Sequence, residues 1–322
     1  MMAVAARDEP VDDEWADAPF TAGRAAGARA SLLLRPRSTR RARTHPWTIA
    51  GLWAWQTALS FGAAIPAAAL VARIYGIHPR GDAPLWDPGG LALLDFLWRD
   101  TRALSPVAAI AEITLVVGAV GGLLPAAAAM MAMGRVPRDR SAATLSQSLS
   151  AALWAMPAFS FLLVVFAFAQ AATLAMGYGA MQIVESAAAG LGAVRAERLG
   201  IAMGVVFLLL ASGLGVVHDL ARAAVVCARA RGARAIVVGA RALGAAPLPL
   251  WWSWAWRCLA SAVPVVAVAF FTGTVGGRGG ATLALVAVLH QAVVLGRVSL
   301  HASWLARALR AIDGWPPSGA AP

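Results

Sequence analysis

"GIAMGVVFLLLASGLGVVH", Gly200 to His218, runs for 19 residues without an acidic or basic side chain before its closing histidine. As a helix with a rise of about 1.5 Å per residue it is about 28 Å long, close to the thickness of the hydrocarbon core of a bilayer. Five further stretches have comparable length and character: Trp47 to Ala72, Val107 to Met133, Ala151 to Met176, Pro249 to Gly273 and Ala281 to Leu300. The expectation is an all-α, polytopic membrane protein, a bundle of six transmembrane helices spanning residues 47–305. Residues 1–46 and 306–322 then form a long and a short tail.

Composition agrees with that reading. Of 322 residues, 60% are hydrophobic and 13% charged, where a soluble domain carries roughly a quarter charged residues. Part of the solvent must be lipid. All 27 basic residues are Arg, and Asn is absent as well as Lys, so no N-glycosylation sequon exists. The net charge of +11 would suggest nucleic acid if it formed a patch on a soluble domain. Here the Arg residues cluster beside apolar spans, which points to anionic lipid headgroups and away from nucleic acid.

The tail opens with six acids between Asp8 and Asp17, followed by seven Arg between Arg24 and Arg43. That pattern predicts a disordered segment whose basic half lies against the bilayer, and it does not fit a signal peptide. Between the spans, Arg falls unevenly. One set of span ends has Arg24 to Arg43, Arg135 to Arg140, Arg222 to Arg241, and Arg307 with Arg310; the other has Arg73 to Arg102, Arg195, Arg198 and Arg278. The count is seventeen against seven. Positive charge is retained inside, so both termini are expected in the cytoplasm of a bacterium, with the bundle in its inner membrane. In the first external loop, Asp87 and Pro88 have the form of a helix start, and Asp95 and Arg99 of an i,i+4 pair on a short surface helix.

Soluble catalytic signatures are absent: no Walker A sequence, HExxH, GxSxG or CxxC pair occurs. "GGRGG" at Gly276 to Gly280 lacks the Lys-Ser/Thr pair of a phosphate loop and reads as a flexible turn. Cys227 and Cys258 read as small hydrophobes, and His218, Asp219 and Cys227 have no metal-ligand spacing. The chain is therefore expected to be no enzyme and to hold no cofactor and no metal.

What remains is polar residues inside apolar spans, which are costly in hydrocarbon and so mark candidate sites. His290, with Gln291 beside it, lies near the midplane of the last span. Glu112 and Gln170 lie at broadly similar depth in spans two and three. These four could line a substrate path or bond neighbouring helices. Asp219 and Arg222, at i,i+3, read as a cytoplasmic helix-exit pair. Arg257, among Trp251, Trp252, Trp254 and Trp256, reads as an interfacial anchor, as do Arg297, His301 and Trp304. Pro66, Pro125, Pro157 and Pro264 predict kinks. Gly118 with Gly122, and Gly200 with Gly204, have the spacing that lets helices approach closely.

With short loops, no soluble domain and few deep polar groups, the expected function is a non-enzymatic membrane-complex subunit or scaffold with a membrane-protein partner. The alternative is a carrier for a small solute or lipid, with His290 on the path. A lipid-modifying enzyme is the third reading.

Overall fold

The computed structural model describes residues 46–75, 101–134, 145–275 and 280–313. Among these residues there is no strand, and eight helices follow one another: α1 Pro46–Tyr75, α2 Thr101–Gly121, α3 Leu123–Gly134, α4 Leu145–Leu191, α5 Ala193–Ala228, α6 Gly232–Ala245, α7 Pro247–Val275 and α8 Gly280–Asp313. The N-terminal tail, the loop with Asp87, Pro88, Asp95 and Arg99, and the turn after Val275 lie outside the described residues. The all-α membrane class holds, but the number of spans needs correction. Among the described residues five helical segments, not six, are long and apolar enough to cross a membrane: Ala108–Gly134, Ser146–Ala188, Val194–Ala228, Pro247–Thr272 and Gly280–Asp313. The first expected span forms the 30-residue helix α1, Pro46–Tyr75.

Local chemistry explains the breaks. The span from residue 108 to 134 is interrupted at Gly122, where Pro125 falls in the first turn of α3. Pro125 has no N–H to donate back to the Gly121 carbonyl, so the ladder resumes with Ala126 donating to the Gly122 carbonyl at 3.1 Å. The kink expected at Pro125 is thus a change of helix, whereas Pro66, Pro157 and Pro264 lie inside continuous helices. Between α4 and α5 the chain reverses at Gly192, whose φ of 78° few side-chain-bearing residues adopt. The α5 terminus uses a left-handed Arg229, φ 50°, after which Ala230 donates to the Ala224 carbonyl at 3.3 Å.

Packing is concentrated at one end of the bundle. The buried residues come from α3 (Leu123 to Met133), α4 (Ala152 to Phe166), α5 (Val216 to Val225), α6 (Ala235, Ala242) and α8 (Val298 to Ile312). About half are Ala, so helix axes approach closely. At Gly239 a Cβ would stand 2.8 Å from the Ala221 nitrogen and 3.1 Å from the Val217 oxygen, so α6 meets the α5 backbone there with no room for a side chain. The packed end is also the Arg-rich end, carrying Arg222, Arg229, Arg231, Arg234, Arg307 and Arg310.

Away from that end the helices present apolar faces outward. Leu174, Ile183, Ile201, Leu208, Val266, Phe270, Leu285 and Val288 are all exposed. In the most apolar stretches of α7 and α8 only 6% of residues are buried inside the protein. The helices are longer than expected: α4, with 47 residues, extends about 70 Å. α8 runs on to Asp313, so residues 306–313, expected in the tail, continue its helix. The spacing of Gly118 and Gly122 does mark a close contact, since α1 lays Leu59 over Gly118 and Trp55 over Gly121.

Candidate functional site at the packed end

α5 and α8 meet side by side at the packed end, and the sequence places a carboxylate on one and an indole on the other. Trp304 Nε1 donates to Asp219 Oδ2 at 2.8 Å, and both residues are buried, at 1% and 7% exposure. One turn along α5, Arg222 Nη1 stands 3.5 Å from Asp219 Oδ1. Each carboxylate oxygen therefore has its own partner. The His218 ring stacks on Phe166 of α4 at 4.7 Å between centroids and 17° between planes. His218 Nε2 and Arg222 Nε are buried with no hydrogen-bond partner among the described residues.

A second polar group lies where α7 crosses α8. Arg257 Nε donates to Ser303 Oγ at 2.8 Å, and its Nη1 donates to the Ser253 carbonyl and, at 2.6 Å, to Ser253 Oγ. The guanidinium carbon lies 4.7 Å from the ring centroid of Trp256. Arg307 and Arg310 of α8 are its electrostatic neighbours. On α5, Ser212 Oγ accepts from Trp251 Nε1 at 2.8 Å, joining α5 to the start of α7.

The expected anchors therefore divide. Arg297 and His301 are exposed. Arg257 is half-buried and braces α7 against α8 as well as lying beside Trp256. Trp304 is corrected: it is among the most buried side chains, its indole N–H is engaged by Asp219, and it cannot reach an interface. Asp219 and Arg222 do pair, but α5 continues to Ala228, so the pair sits within the packed end ahead of the helix exit.

Three of the four candidate path residues bond separately. His290 is exposed, with Nδ1 2.9 Å from the Val286 carbonyl of its own helix. Gln291 Oε1 accepts from Thr57 Oγ1 of α1 at 3.1 Å. Gln170 Nε2 donates to the Ala211 carbonyl of α5 at 2.8 Å. Glu112 is exposed on α2. No group of three or more His, Cys, Asp or Glu positioned to hold a metal occurs among the described residues.

A groove of about 260 Å³ lies between α7 and α8, walled by Pro264, Val268, Leu289, Val293 and Gly296, with Arg297 as its one charged residue. Sequence reasoning missed Ser253 and Ser303 as partners of Arg257. The i,i+4 spacing of Ser253 and Arg257 is visible in the chain, but Ser303 lies 46 residues away and only the helix crossing brings it near. No protein family, no curated protein and no solved structure matches the chain.

Proposed function

We propose that this protein is a membrane-embedded structural subunit that works within a larger assembly. The observation that carries the reading is the separate, local bonding of three deep polar side chains. Gln170 bonds a backbone carbonyl of α5, Gln291 a threonine of α1, and His290 its own helix. A carrier or a membrane enzyme needs such groups to converge on a cavity, and the groove between α7 and α8 is apolar except at Ser261 and Arg297. Gln170 and Gln291 each join one helix to another, which serves packing. The exposed apolar faces of α4, α5, α7 and α8 offer surface to neighbouring membrane helices.

The excess of Arg at the packed end supports a reading in which that end and both termini face the cytoplasm and the host membrane is a bacterial inner membrane. Reporter fusions after Asp313 and within residues 76–100 test this topology. A periplasmic signal from the C-terminal fusion would overturn it.

The assembly itself is tested by extracting the full chain from native membranes into polymer discs and measuring particle mass. A stoichiometric membrane-protein partner, or more than one copy of the chain, is expected. Particles holding a single copy and no other protein, in discs and in several mild detergents alike, would refute the subunit reading.

A further inference from the structure

The α7–α8 groove has a polarity that the proposed function does not use. α7 and α8 run antiparallel, so Val268 and Leu289 lie at one end of the groove and Ala260, Arg297 and Leu300 at the other. The Arg297 end faces the packed, Arg-rich part of the bundle, because α8 continues from there to Trp304, Arg307 and Arg310. The groove is thus a hydrocarbon slot with a positive charge at its mouth. Arg297 is exposed and has no hydrogen bond or ion pair among the described residues. Arg257 lies one turn beyond Ser261 on the same face of α7, which adds a second guanidinium near that end.

The lining narrows the occupant. Compact polar ligands would find walls that are apolar apart from Ser261 and Arg297. A single alkyl chain matches the slot, and an anion at its end matches Arg297. The slot is open beside Gly296, where a Cβ would meet nothing within 4 Å.

We propose that this groove binds one acyl chain of an anionic phospholipid from the leaflet at the Arg-rich face, with the lipid phosphate paired to Arg297. The lipid would cover part of α7 and α8 that the protein leaves bare, and would lie between these helices and any neighbouring subunit.

Native mass spectrometry of the full chain, loaded with phosphatidylglycerol or phosphatidylcholine in separate samples, tests the site. Wild type should retain phosphatidylglycerol in preference to phosphatidylcholine. Arg297→Gln should reduce that preference about fivefold, the loss expected for one basic residue at an anionic membrane surface. Gly296→Leu fills the slot and should release both lipids while the melting temperature holds; if that variant does not fold, Ala292→Leu obstructs the same groove from α8. Equal retention of the two lipids by wild type would overturn the proposal. So would undiminished lipid in a folded groove-filling variant, or loss of self-association in that variant with its lipid kept, which would make a second copy the occupant.

Discussion

Asp219 and Trp304, 85 residues apart in the chain, meet at 2.8 Å in the buried end of the bundle, and their bond fixes the rotation of α8 against α5. Trp304→Phe keeps most of the packing but leaves a carboxylate oxygen buried and unsatisfied. Destabilisation of about 1–3 kcal/mol is expected. Thermal unfolding in detergent reads it, and an unchanged midpoint would mean that the bond is not made in the folded protein.

Trp53 provides the contrasting case. Its Nε1 is buried with no partner among the described residues, so Trp53→Phe removes an unsatisfied donor and little else. That substitution should leave stability unchanged or raise it, since loss of an unpaired buried polar group is not penalised. A drop as large as that of Trp304→Phe would reveal a partner for this indole.

Gly239 and Gly296 are both glycines in helix interiors, yet they should respond oppositely to alanine. At Gly239 the new Cβ would strike the α5 backbone, which cannot yield as a flexible side chain can. Gly239→Ala should cost about 1–3 kcal/mol as α6 is pushed away. At Gly296 the space is open, and the gain in helix propensity should stabilise the protein by up to about 1 kcal/mol. Paired melting curves decide it; stabilisation by both would mean that α6 does not approach α5 as closely as described.

Arg257 joins α7 to α8 through Ser303 while bracing its own helix through Ser253. Arg257→Lys keeps the charge but cannot place two donors in the same fork, so it should lose about 1 kcal/mol, close to the loss of Arg257→Gln. Full recovery by lysine would assign the role to charge alone.

His290, despite its depth, bonds only the Val286 carbonyl of its own helix among the described residues. His290→Leu should shift stability by less than about 0.5 kcal/mol, within the usual range for an outward-facing substitution. A large loss of stability would show that the residue has a partner on another helix.

Much of this architecture was legible along the chain because it depends on local physics. Charge-free runs set the apolar helices, and the spacing of Asp219 and Arg222 makes their ion pair. Trp304 was misread as an anchor for a related reason. A tryptophan near the end of an apolar span usually sits at a membrane interface, and its actual partner, Asp219, lies three helices earlier in sequence. Likewise the length of α8 was underestimated, because Arg307 and Arg310 look like the start of a tail when they are seen without the Ala-rich core they flank.

The sequence by itself determined that this chain is helical and has helices suited to a membrane, and which residues are costly to bury there. Those properties follow from transfer of side chains between water and hydrocarbon, which each segment obeys alone. Only the tertiary structure decided that packing gathers at the Arg-rich end, that Trp304 turns inward to Asp219 while Arg297 stays unpaired beside a groove, and that His290, Gln170 and Gln291 are satisfied separately. Those outcomes depend on which helices cross and at what rotation, and helical periodicity says which residues share a face but not what that face meets.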